Sequence, residues 1–142
     1  LNGIVLQTQL FFQEAKSMFE TAIALGENDA LAYYYLALAT LNATPDDTET
    51  VNSAISRAVQ LRPDDPDILP FTAKQALRRK DYSAAIEHLT AALRSKPKMT
   101  EVHYALSAAY RGVGDPEKSK YELELFEAKV RKIFIALRFW FA

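Results

Sequence analysis

Residues 66–99 read PDILPFTAKQALRRKDYSAAIEHLTAALRSKPKM, and this stretch decides the fold. Its apolar residues return at spacings of three and four, the period of a helix with one buried face. Leu69, Ala73, Ala76 and Leu77 share one side of a first helix expected over 67–79. Pro70 falls in the opening turn, where a missing backbone donor costs little. Asp81 then reads as an N-cap whose carboxylate accepts from the free amides of the next helix. That second helix, expected over 82–95, lines up Ala85, Leu89, Ala92 and Leu93 before Pro97 stops it.

The rest of the chain restates this unit. Arg62-Pro63 recurs as Lys96-Pro97, Ala58 as Ala92 and Asp81 as Asp115, each after 34 residues. A fixed period of that length marks a solenoid of stacked helix pairs, in which each pair buries its apolar face against its neighbours. Downstream, His103, Leu106, Ser107 and Tyr110 belong to a first helix that Gly112 and Gly114 are expected to break, and Asp115-Pro116 starts the second. Upstream, Tyr33, Leu36, Ala37 and Thr40 are followed by Val51, Ile55, Ala58 and Pro63, with the period stretched by two. Thr44-Pro45-Asp46-Asp47 suggests why: Thr44 as cap, Pro45 as first helical residue and two aspartates at the positive end of the dipole would start that helix early. Gly3, Ala15, Phe19 and Ala22 read as part of a further repeat, so the first residues should already be helical.

A small residue at the helix crossing, a large one four further on, alanine three beyond and proline five later resembles the tetratricopeptide repeat. Ala85-Leu89-Ala92-Pro97 and Val51-Ile55-Ala58-Pro63 match well; Ala15-Phe19-Ala22 lacks the proline, and Ser119-Leu123-Phe126 departs at its last position. The resemblance implies an all-α, right-handed α-solenoid of antiparallel helix pairs, about three and a half repeats long. Residues 1–132 would form one domain, with a partial repeat at 1–29 and repeats at 30–65, 66–99 and 100–132. Residues 133–142 would form a hydrophobic helical extension.

Composition fits a folded scaffold and narrows its chemistry. The 142 residues are 49% hydrophobic and 25% charged, with a formal net charge of −1. The broad basic field of a nucleic-acid binder is missing. No cysteine is present, so no disulfide framework or zinc-thiolate site can form. Zinc-helix, nucleophile-elbow and phosphate-loop motifs are absent, so no catalytic residues, metal ligands or cofactor are expected. His88 and His103 fall on different helices and read as packing residues, while Asp46-Asp47 and Asp64-Asp65 read as capping clusters. No basic and apolar leader precedes the first repeat. The apolar run at the end of the chain is about ten residues, half of what a bilayer span needs, so membrane insertion of this segment is not expected.

Two surfaces remain as candidates. In tetratricopeptide repeats the first helix of each pair lines an inner groove for extended or helical peptides. Carried over position by position, the resemblance gives Tyr34, Tyr35, Leu38 and Asn42, then Phe71, Lys74 and Arg78, then Tyr104, Ala108 and Arg111. Aromatic rings with basic residues suit an apolar peptide carrying an acidic group, although Tyr34 and Tyr35 also suit packing between helices. The Lys, Asn and Arg cluster by which some family members grip a terminal carboxylate is replaced here by Tyr34, Leu38, Phe71, Glu101 and Ala105. The second candidate is the last helix, where Leu123, Phe126, Val130, Ile133, Leu137 and Trp140 are spaced 3, 4, 3, 4 and 3 along one stripe. Such a helix would cap the last repeat, join two subunits as a homodimer, or form a membrane-proximal segment. The function expected is a non-enzymatic protein-interaction scaffold, with oligomerisation through the last helix as the alternative.

Overall fold

The computed structural model describes residues 2–141 and, among them, contains seven helices and no strand. They are α1 (Asn2–Ala24), α2 (Ala30–Ala43), α3 (Thr48–Leu61), α4 (Ile68–Arg78), α5 (Tyr82–Ser95), α6 (Thr100–Gly112) and α7 (Pro116–Trp140). By internal packing the chain divides into Leu1–Pro63, holding α1 to α3, and Asp64–Ala142, holding α4 to α7. The fold class is the all-α solenoid of helix pairs that the repeat implies. The unit expected over 67–79 and 82–95 is found as α4 and α5, within one residue at each end.

The second helix of each pair starts by one device. Asp47, Asp81 and Asp115 stand 34 residues apart, and each side chain accepts from the amide three residues on, at 3.1, 3.3 and 3.1 Å. One of the four orphan donors of each helix is thereby satisfied. The period is therefore unbroken through α3, which overturns the expected early start. Thr44 ends α2 as its C-cap, with φ −137° and ψ 78°, and Pro45 lies in the turn beyond. A proline forces the residue before it out of the helical region. Arg62 before Pro63 and Lys96 before Pro97 end α3 and α5 in the same way, at φ −138° and −142°. Thr44-Pro45 is thus a stop, and Asp47 alone is the start.

The other turns use a left-handed residue. Gly26, Lys80 and Gly114 have φ of 102°, 62° and 81°. Behind each, the next amide reaches back five residues, from Glu27 to Ala22, Asp81 to Ala76 and Asp115 to Tyr110, at 2.9–3.0 Å. This is the Schellman closure that satisfies the last carbonyls of a helix. Gly114 breaks its helix as expected, but Gly112 does not: it is the last residue of α6 and leaves room for the ring of Tyr82.

Alanines let the helices approach closely. Ala73, Ala76, Ala85, Ala92 and Ala109 are fully buried, and Leu69, Leu89, Val102 and Leu106 fill the space between them, making one core from α4, α5 and α6. In the first unit Ala37, Ala58, Val51 and Ile55 play the same parts.

Candidate interaction surfaces

Packing consumes one side of each first-of-pair helix and leaves the other. On α4, the residues Leu69, Thr72, Ala73 and Ala76 are buried, while Lys74 and Arg78 are exposed and Phe71 is half-buried. On α6, Val102, His103, Leu106 and Ala109 are buried, while Tyr104 and Arg111 are exposed. Both α4 and α6 thus carry an aromatic residue and, seven positions on, an exposed arginine: half-buried Phe71 with Arg78, and exposed Tyr104 with Arg111. Lys74 adds a third cation between the first pair.

The face of α2 is different. Tyr35 is exposed, Tyr34 and Leu38 are half-buried, and Asn42 is exposed with its amide donating to the Leu38 carbonyl at 2.8 Å. Tyr35 stacks on Phe19 of α1, with ring centroids 5.8 Å apart, and lies 5.4 Å from Tyr34. The Phe19–Tyr35 stack joins α1 to α2, and Tyr35 remains exposed to solvent.

Two polar clasps fasten α7 to α6. His103 is buried, with Nδ1 2.6 Å from Glu122 Oε2 and Nε2 3.0 Å from Lys129 Nζ. An ammonium can only donate, so Nε2 accepts from Lys129, and the proton sits on Nδ1, which donates to Glu122. One turn deeper, Ser119 Oγ donates to the Ser107 carbonyl at 2.8 Å and lies 3.1 Å from Ser107 Oγ. Phe126 completes this side, 5.2 Å from the Tyr104 ring. The helix face against α6 is therefore Ser119, Glu122, Leu123, Phe126 and Lys129, mixed rather than apolar, which is why the sequence pattern missed Glu122 and Lys129.

Beyond Lys129 the character of α7 changes. Every described residue from Val130 onward is exposed, including Ile133, Phe134, Ile135, Leu137, Phe139 and Trp140. The expected stripe thus divides in two: Leu123 and Phe126 are half-buried against α6, whereas Val130, Ile133, Leu137 and Trp140 face solvent. No described helix is long and apolar enough to cross a membrane. Among the described residues, no three acidic or histidine side chains converge as a metal site would require.

The tetratricopeptide repeat model matches residues 1–66 and 72–119, and the chain belongs to that family. The crystal structure of the MamA protein is similar at 21% identity and a TM-score of 0.75, over 85% of this chain and 65% of that one. The crystal structure of YrrB, described as a TPR protein with an unusual peptide-binding site, is similar at 20% identity and a TM-score of 0.75, over 90% of this chain and 65% of that one. The chain thus spans about two-thirds of the length of either structure. No curated protein matches it significantly. These likenesses agree on the fold, that of a scaffold family whose members bind protein or peptide partners.

Proposed function

We propose that this chain is a non-enzymatic binding module that holds a partner polypeptide on its first-of-pair helices. On α4 and α6, Phe71 and Tyr104 supply apolar contact and Lys74, Arg78 and Arg111 select acidic character; on α2, Tyr34, Tyr35 and Leu38 offer a further apolar surface. The observation that carries this reading is the aromatic and arginine pair repeated at one spacing on α4 and α6, with Arg78, Tyr104 and Arg111 exposed and Phe71 half-buried. Arginine offers a planar fork that binds a carboxylate bidentately, and an aromatic ring one helical face away buries area at little entropic cost. That the similar YrrB structure is described as having an unusual peptide-binding site supports a peptide-binding reading of this fold. Selection from a random peptide library tests it. The expected enrichment is for apolar residues flanked by Asp or Glu, and Arg78→Glu with Arg111→Glu should move it toward Lys and Arg. Enrichment unchanged by that charge reversal would place binding elsewhere.

A second reading rests on the exposed end of α7. Ile133, Phe134, Leu137 and Trp140 present an apolar surface that solvent does not favour, and a second subunit could cover it. Light scattering on Ile133→Glu with Leu137→Glu tests this, because both residues are exposed and the substitutions leave the core alone. Loss of a dimer would support the α7 contact, and a mass equal to that of the parent chain would count against it.

A further inference from the structure

Lys129 is the last point at which α7 is held, because every described residue beyond it is exposed. What holds it is not a carboxylate. Leu125, Phe126, Lys132 and Ile133 stand three and four residues to either side of it along the helix, so no acidic neighbour can pair with it from α7. Among the described residues its ammonium has one partner, Nε2 of buried His103, at 3.0 Å. That nitrogen accepts a hydrogen bond only while the imidazole is neutral.

We infer that His103 is a proton-operated latch for the end of α7: neutral, it holds Lys129, and charged, it lets Lys129 go, so that residues 130–140 lose their anchorage while the repeat stays folded. The chemistry is a single proton. When Nε2 takes up a proton from solvent it becomes a donor, and an N–H then faces an ammonium across a largely buried contact. The hydrogen bond is lost and repulsion between like charges replaces it. Lys132, one turn further on, adds a charge of the same sign. Nδ1 responds in the opposite direction, since it already donates to Glu122 over 2.6 Å and that bond becomes an ion pair. The Ser119–Ser107 bond carries no charge and is indifferent to the change. Acid therefore fastens the first half of α7 more firmly and frees the second, with Phe126 against Tyr104 as the last remaining contact.

The surroundings leave this response to one imidazole. Helix α5, on another side of α6, contributes Ala85, Leu89 and Ala92 to their shared core; its Glu87 and Arg94 are exposed, and neither they nor half-buried Tyr82 and His88 bond to His103. Lys74 and Arg78 of α4, and Glu101 and Arg111 of α6 itself, are exposed as well. Glu122 and Lys129 are thus the charged groups that meet His103 among the described residues. Histidine is the side chain that ordinarily changes charge between about pH 5 and 8. This latch is independent of the peptide-binding surface.

Nuclear magnetic resonance on the intact chain at about pH 8 and about pH 5 tests it. The imidazole nitrogens of His103 should show a proton on Nδ1 and a bare Nε2 at the higher pH, and protons on both at the lower. As the charge appears, hydrogen-exchange protection of amides 130–140, corrected for the intrinsic pH dependence of exchange, should fall at least about tenfold, the scale of one hydrogen bond to a charged group. Amides of α4 to α6 should keep theirs. Lys129→Met should leave 130–140 loose at both pH values, and His103→Gln, which offers a donor and an acceptor but no charge, should abolish the pH dependence while keeping His88. The inference is overturned by a His103 already doubly protonated at the higher pH or still neutral at the lower. It is equally overturned by protection that does not change as His103 charges, or by a pH-dependent loss that persists in either variant.

Discussion

Replacing Gly112 by alanine sets two effects of opposite sign against each other, and the structure says which wins. Gly112 is helical, the last residue of α6, so a methyl group there would ordinarily stabilise, by up to about 1 kcal/mol in a helix interior and less at its end. Here a Cβ would fall into the ring of Tyr82, touching Cγ, Cδ1 and Cε1 together. It meets the body of the ring rather than its tip, so a small bend of the side chain cannot clear it. The ring must swing out from its half-buried place at the start of α5, or α5 and α6 must part. Overpacking of this kind costs about 1–3 kcal/mol. The net expectation is a loss of about 1–2 kcal/mol, read as a lower urea midpoint with an unchanged slope. A double-mutant cycle isolates the cause: in a Tyr82→Ala background the same change should be neutral or stabilising, giving a coupling of about 1–2 kcal/mol. A Gly112→Ala protein as stable as its parent, or a coupling near zero, would show that the ring does not rest on this glycine.

Two further predictions follow from the turns. Lys80 sits where the next repeat has Gly114 and pays for a left-handed backbone that glycine adopts freely, so Lys80→Gly should raise stability by about 0.5–1 kcal/mol in urea titration, a change that an unstrained turn would not give. The Asp47 carboxyl is held below its ordinary 3.8, first by the Thr50 side chain, then by the Thr50 amide and by Lys16. A depressed carboxylate stabilises above its unfolded pKa and loses that contribution as pH falls through its folded value. Asp47→Ala should therefore be less stable than the parent at neutral pH, with the gap closing below about pH 4; a gap independent of pH would remove the capping carboxylate from the account.

The repeat was legible because its signals are local. An aspartate three residues ahead of an amide, or a residue forced extended by the proline after it, works through the backbone alone, so the starts of α3, α5 and α7 share one period. Thr44-Pro45 was misread because proline tolerates both the end of one helix and the start of the next, and only the competition with Asp47 shows which applies. Gly112 was misread for a related reason: a glycine near a helix end signals backbone freedom, while the need here is for space, and the ring that needs it lies 30 residues earlier. Helix α2 was harder still. Its sequence, ALAYYYLALATLNA, is apolar on every side, so no pattern distinguishes the face of Tyr34 and Tyr35 from the core.

Pattern reading finds a buried face by its apolar residues, and two surfaces of this chain break that equation in opposite directions. The side of α7 against α6 is buried but partly polar, since His103, Glu122 and Lys129 satisfy one another in a place where each alone would be costly. The outer side of α1 is apolar but exposed, at Ile4, Leu6, Leu10, Phe11 and Met18. The end of α7 is apolar on several sides at once, so its pattern specifies little about what would cover it.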